Sequence, residues 1–274
     1  LEKIITSKSR LVFIKNGMMK NFKILLFLCV STCFFAQKEF TFNINNVERK
    51  ALVFEPSQKS QKIPMVFIFH GHGGNAKNAS QKINFQHEFP EAMVVFMQGI
   101  PGTSGYVIDK KGLLNGWQMF PNENGNRDVL FFDEVLKNLQ NKFSIDERRI
   151  YLVGHSNGAR FVNVLWKERG EKIAAICSVA AQGGMMARNA KPVSIWMSMG
   201  KNDPLVPYAT QKKSIPIVKK NLQIDEISTV HNGDTTTFKG IENTELVIEE
   251  KNAGHEFPAS SIPKIVNFFQ RHSR

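Results

Sequence analysis

The stretch Arg149-Ile150-Tyr151-Leu152-Val153-Gly154-His155-Ser156-Asn157-Gly158-Ala159-Arg160-Phe161-Val162-Asn163-Val164-Leu165-Trp166 changes character at its centre. Arg149 to Val153 reads as a strand, and Ala159 to Trp166 as the beginning of a helix. Between them, Gly154-His155-Ser156-Asn157-Gly158 fits the pattern G-x-S-x-G. A strand that turns sharply into a helix strains its serine and lifts the hydroxyl above the sheet edge; side chains in place of the two glycines would clash in so tight a turn. The pattern alone occurs by chance in roughly one chain in ten of this length, so the strand-to-helix setting gives it its weight.

Outward from this turn the chain alternates strands and helices. Phe40 to Ile44 alternates apolar and polar, Asn45-Asn46 turns the chain, and Arg49 to Glu55 returns as a second strand. Met65 to Phe69 is continuously apolar, which suits a strand covered on both faces. Ala92 to Met97, Ile150 to Val153, Ile173 to Val179, Val193 to Met199 and Glu245 to Glu250 follow as strands. Val129, Phe132, Leu136, Leu139 and Phe143 recur at spacings of three and four, so one helix face is apolar, with Asn126 placed to cap its start. Further helices are expected over Asn157 to Arg169, Ala209 to Lys220 and Ser260 to His272. This order predicts an α/β fold, a mainly parallel central sheet with helices on both faces. Gly99 to Asn126 is a long irregular stretch, read as one wall of a cleft.

A serine hydroxyl is a weak nucleophile and needs a base, which in turn needs an orienting acid. In folds with this elbow the chain order is serine, acid, histidine. Asp203 follows the strand Val193 to Met199, at the C-terminal strand edge where open α/β sheets place their sites. Asp225, before a strand, and Asp234, in a turn, are the substitutes. His255 lies in a loop between the last strand and the last helix; His231 and His272 are the other histidines after the acid. The candidate catalytic residues are therefore Ser156, Asp203 and His255. The oxyanion formed on attack needs fixed N–H donors, expected from the backbone of His72, in His70-Gly71-His72-Gly73-Gly74, and of Asn157. His70 and His72, two apart with no nearby third ligand, make a poor metal site, so neither metal nor cofactor is expected. His155 is expected to be packed beside the elbow rather than catalytic. Trp117, Gln182 and Phe257 are expected as substrate-binding cleft walls, Trp117 being equally suited to the core.

The 274 residues, 42% hydrophobic, can bury one large core. Residues 1–17 read as a non-native upstream extension. From Met18, Lys20 and Lys23 precede a short apolar run, then small residues up to Ala36. This is the pattern of a signal peptide over 18–36, cut near Ala36, with lipoprotein processing at Cys33 as the alternative; residues 37–274 form the domain. The run is too short for a membrane span. The domain keeps one cysteine, Cys177, so it holds no internal disulfide. The net charge is +12 overall and about +7 from residue 37 onward, with 30 basic against 23 acidic residues. The basic residues are scattered and no nucleic-acid-binding motif accompanies them, so no nucleic-acid partner is expected.

Taken together, Ile63 to Gly74, Gly116-Trp117, Arg127-Asp128-Val129, Ser144 to Tyr151, the Ser156 turn, Asn202 to Tyr208 and Ala253 to Pro258 resemble the polyhydroxybutyrate depolymerase and feruloyl esterase group of carbohydrate esterase family 1. The resemblance implies an α/β-hydrolase fold and a serine esterase whose triad falls on Ser156, Asp203 and His255. The substrates it implies are polysaccharide-linked feruloyl or acetyl esters, or hydroxyalkanoate oligomers. Glu256-Phe257 stand where the group usually has Thr-Trp. The readings set against it are a non-catalytic binding protein on the same scaffold and a peptidase or acyltransferase. An ester substrate is the expected partner, and the oligomeric state stays open.

Overall fold

The computed structural model describes residues 37–102 and 109–274. The readings made for the upstream extension, the leader and Cys33 lie outside the described residues, as does the centre of the Gly99 to Asn126 stretch. In chain order the strands are β1 (Gln37–Ile44), β2 (Val47–Phe54), β3 (Ile63–Phe69), β4 (Met93–Met97), β5 (Ile100–Pro101), β6 (Asn115–Gly116), β7 (Ile145–His155), β8 (Ala175–Val179), β9 (Ser194–Gly200), β10 (Asp225–Asn232), β11 (Thr235–Lys239) and β12 (Glu245–Lys251). The helices are α1 (Ala76–Lys82), α2 (Phe85–Glu88), α3 (Arg127–Lys142), α4 (Asn157–Arg169), α5 (Tyr208–Lys212), α6 (Ile215–Asn221) and α7 (Ile262–Gln270).

One sheet takes the order β1-β2-β4-β3-β7-β8-β9-β12-β11-β10, and β5 pairs with β6 apart from it. Strands β4, β3, β7, β8, β9 and β12 run parallel; hairpins at either edge are antiparallel. The apolar run of β3 is buried on both sides. Met65, Phe67 and Phe69 join a core with Phe132 of α3 and Phe161 of α4, while Val66 and Ile68 face a second core with Phe85 of α2 and Phe269 of α7. A strand covered twice has no solvent face and so no polar alternation.

Helix α3 buries Val129, Phe132, Leu136 and Leu139, as their spacing predicts. Its start differs from expectation. Asn126 has a left-handed backbone (φ 58°) and makes no side-chain cap; its side-chain oxygen instead accepts from Asn122 N and Gln118 Nε2. The helix expected over Ala209 to Lys220 is two helices, α5 and α6. Pro216, in the first turn of α6, suits a helix start and has no N–H to continue a helix through it. The Ser214 hydroxyl at the break accepts from the N–H groups of Gly183 and Gly184. No described helix is long and apolar enough to cross a membrane.

Candidate active site

The parallel strands end together, and the loops after β3, β7, β9 and β12 meet at that edge. The turn after β7 is the strained one. Ser156 has φ 55° and ψ −117°, a conformation that costs about 1–3 kcal/mol and persists only where its surroundings enforce it. They do so here. A Cβ on Gly158 would lie 2.2 Å from the Phe69 carbonyl oxygen, and one on Gly154 would lie 2.4 Å from the Gly158 oxygen. Helix α4 is thus pressed onto the end of β3. The Ser156 N–H is tied to the Val179 oxygen at 2.8 Å, which fixes the turn to β8.

The Ser156 hydroxyl is 2.8 Å from His255 Nε2, and His255 Nδ1 donates to Asp203 Oδ2 at 2.8 Å. The Asp203 side chain is fully buried. Its Oδ1 accepts from the N–H groups of Leu205 and Val206, and Oδ2 also accepts from Gln211 Nε2 of α5 at 3.0 Å. Burial by itself raises the Asp203 pKa, but the hydrogen bonds from Val206, His255 and Leu205 outweigh it and hold the carboxyl below its ordinary value. An ionised carboxylate, an imidazole with its Nδ1 proton fixed, and a serine hydroxyl thus form one chain. Such a chain can draw the serine proton and stabilise the imidazolium that results. The substitutes lie elsewhere: Asp234 pairs with Lys251 and Lys264, and Asp225 accepts from Ile227 N. His231 contacts Thr236, and His272 contacts the Phe268 oxygen.

The loop His70 to Gly74 lies against the elbow, a Cβ on Gly71 falling 3.5 Å from Ser156 Cβ. Asn157 begins α4, so its N–H has no intrahelical acceptor. His72 lines the same cavity as Ser156. His70 anchors the loop. Its Nδ1 donates to the Gly71 oxygen and its Nε2 accepts from Gly99 N, an arrangement open only to the neutral ring. Burial pushes its pKa down to about 4, against the opposing pull of the Gly71 carbonyl. Both ring nitrogens of His70 are therefore committed to backbone groups.

Trp117 is not a cleft wall but fully buried core. Its indole stacks on Phe161 and meets Phe69 edge-on, and its Nε1 donates to the His70 oxygen at 2.9 Å. Trp117 N donates to Asn157 Oδ1, and Asn157 Nδ2 donates back to the Trp117 oxygen. Trp117 thus braces both expected oxyanion segments from behind. No described residue of Gly99 to Asn126 lines the Ser156 cavity, so the described part of that stretch is a support rather than a wall. Gln182 lies outside the cavity too, in a small separate pocket with Met119, Arg160 and Met186. Phe257 does line the Ser156 cavity, which holds about 690 Å³ and is also lined by Ala79, Ile83 and Leu205. Gln211 carries no motif in the sequence, and His70, though it opens the Gly-rich loop, shows its anchoring part only through its contacts.

The strand order and the elbow define the class: the fold is that of the α/β hydrolases. No protein-family model matches the chain. It is similar to feruloyl esterase D of Neurospora crassa, 29% identical over 177 residues, covering 62% of this chain and 58% of that protein. It is also similar to the bifunctional acetylxylan esterase/xylanase XynS20E of Neocallimastix patriciarum, 23% identical over 159 residues, covering 57% of this chain and 22% of the relative. The matched stretch therefore spans less than two thirds of either protein. Among solved structures, the carbohydrate esterase family 1 ferulic acid esterase AmCE1/Fae1A of Anaeromyces mucronatus, in complex with ferulic acid, superposes with a TM-score of 0.57 at 17% identity. That superposition covers 86% of this chain and 90% of that one.

Proposed function

We propose that this chain is a serine carboxylic-ester hydrolase working through an acyl-enzyme. The observation that carries the reading is the unbroken chain from Ser156 through His255 to Asp203, with both links at 2.8 Å, opening on a cavity. His255 takes the serine proton as Ser156 Oγ attacks the ester carbonyl. The N–H groups of His72 and Asn157 hold the oxyanion, and Asp203 stabilises the imidazolium. His255 then gives its proton to the leaving alcohol. Water, deprotonated by His255, releases the acid and restores the serine.

The similarity to feruloyl and acetylxylan esterases supports feruloyl or acetyl esters on polysaccharide as substrates, with soluble hydroxyalkanoate oligomers as the other class. Leu205, Ile83, Ala79 and Phe257 supply apolar surface for such an acyl group or alcohol. The domain from Gln37 is proposed to be exported after cleavage near Ala36; N-terminal sequencing of the mature protein checks this.

The test is a panel of methyl ferulate, acetylated xylan, hydroxybutyrate oligomers and peptide amides, assayed with the full chain and with Ser156→Ala. Ester hydrolysis with kcat falling by about 10⁶-fold in Ser156→Ala is expected, on the scale of other triad deletions. Hydrolysis retained by that variant, or confined to amides, overturns the reading.

A further inference from the structure

The geometry points to His155, the residue before the nucleophile, as a positioning residue that locks the backbone of His255 to the end of β7. The inference rests on the triad reading above and goes beyond it. His155 Nε2 lies 2.5 Å from the His255 carbonyl oxygen. A carbonyl only accepts, so Nε2 carries the proton and donates it. The two rings stand 5.2 Å apart, and the Phe257 ring meets His155 edge-on at 6.3 Å.

The two ends of this bond differ in rigidity. His155 is the last residue of β7 and pairs with Val179 of β8, inside the sheet. His255 sits in a loop. The entry of that loop is tied to the turn after β9 through Asn202 N to the Ala253 oxygen and Lys201 N to the Lys251 oxygen. Glu256 closes the loop on itself through Gly254 N. Among the described residues, the bond from His155 is a hydrogen bond made directly to the His255 main chain. It carries the rigidity of the sheet to the residue whose Nε2 must meet Ser156, one position further along the chain from His155.

The surroundings hold His155 in the form the role needs. Its Nδ1 faces Gly71, where an added Cβ would stand 3.2 Å away, so the oxyanion loop packs along that edge. Burial lowers its pKa, against the pull of the His255 carbonyl. A neutral His155 also leaves the neighbouring imidazole free to become a cation during the reaction, without a like charge 5 Å away. Misplacing a catalytic group by about 1 Å costs up to ~10²-fold in rate.

The test uses the full chain with His155→Leu and His155→Gln, and 4-nitrophenyl acetate as probe. The glutamine Nε2 is as many bonds from its Cα as the histidine Nε2, so its amide reaches the same carbonyl. For His155→Leu we expect kcat to fall about 10- to 100-fold with KM changed less than about 3-fold. The downfield proton NMR signal of His255 Nδ1–H should broaden, and fluorophosphonate labelling of Ser156 should slow in parallel. His155→Gln should recover kcat to within about 5-fold of the parent and restore the NMR signal. Should His155→Leu fail to fold, His155→Gln against His155→Asn, whose amide is too short, decides the matter. Parental kcat in His155→Leu, or equal kcat for glutamine and asparagine, overturns the inference. Ser156→Ala and His255→Ala keep the two readings apart. If both are inactive while His155→Leu is fully active, only the positioning role falls; if both are active, the triad itself falls.

Discussion

His70 shows how much one buried side chain contributes to the site. Its ring serves two backbone groups at once, accepting from Gly99 and donating to Gly71, and only the neutral form can do both. Its pKa is lowered from 6.5 to about 4 by burial. Between those values the unfolded chain binds a proton that the folded chain refuses, so the contribution of His70 falls as pH drops from about 6.5 to about 4 and is constant below. His155 and His272, also lowered by burial, act in the same direction. Thermal melts across this range should show the loss, on the order of 3 kcal/mol from His70 alone. His70→Gln should flatten that part of the profile; an unchanged profile would remove His70 from the account. The sequence singled out His70 only as a poor metal ligand, because nothing local to Phe69-His70-Gly71 reveals that Gly99 arrives to meet its ring.

At the scale of elements, the turn between β7 and α4 depends on two glycines for contact rather than for flexibility. A Cβ on Gly158 would press into the carbonyl oxygens of Phe69 at 2.2 Å and His70 at 2.6 Å, which are backbone atoms that cannot move aside. Gly158→Ala is expected to destabilise the protein by roughly 3 kcal/mol or more and to abolish fluorophosphonate labelling of Ser156. Gly170→Ala is the control. Its nearest neighbours lie at 3.5 Å and beyond, and its backbone is helical, so this change should be neutral or slightly stabilising. Urea titration of both variants checks the contrast. Elements with a strong period or a strong setting were legible in advance: β3, α3, α4 and the elbow. The break between α5 and α6 is marked in the sequence by Pro216. Asn126 does not cap α3 because its amide oxygen accepts from Gln118 and Asn122 in a left-handed turn, which hydrophobic periodicity does not mark.

Across the whole molecule, the edge hairpin and the long loop are joined by a buried ion pair. Arg49 of β2 donates to Asp128 of α3 at 2.8 Å, both side chains almost wholly buried. Arg49 also reaches the Gln98 and Arg127 carbonyls and lies over the Phe131 ring. Asp128 Oδ2 accepts from Gln118 N, beside Trp117. The pair thus connects the sheet edge, α3 and the loop that braces the proposed oxyanion segments. Asp128→Ala leaves a buried cation with no counter-charge and should cost about 3–5 kcal/mol in urea unfolding, whereas Arg49→Met with Asp128→Leu should recover most of that. If the double variant is as unstable as the single, the cost belongs to packing and not to the stranded charge. Activity should follow Trp117, falling in Asp128→Ala even at temperatures where the protein remains folded.

The strand-helix alternation, the apolar run of β3 and the order of serine, acid and histidine were readable along the chain, because hydrophobic periodicity and a tight turn are local and leave a local mark. Which carboxylate and which imidazole meet Ser156, that Trp117 supports the site from within rather than facing the cavity, and that His155 grips the His255 backbone were settled only by folding. Those contacts join residues about forty to a hundred positions apart, and their energies depend on burial and on hydrogen-bond geometry, which exist once the strands lie side by side.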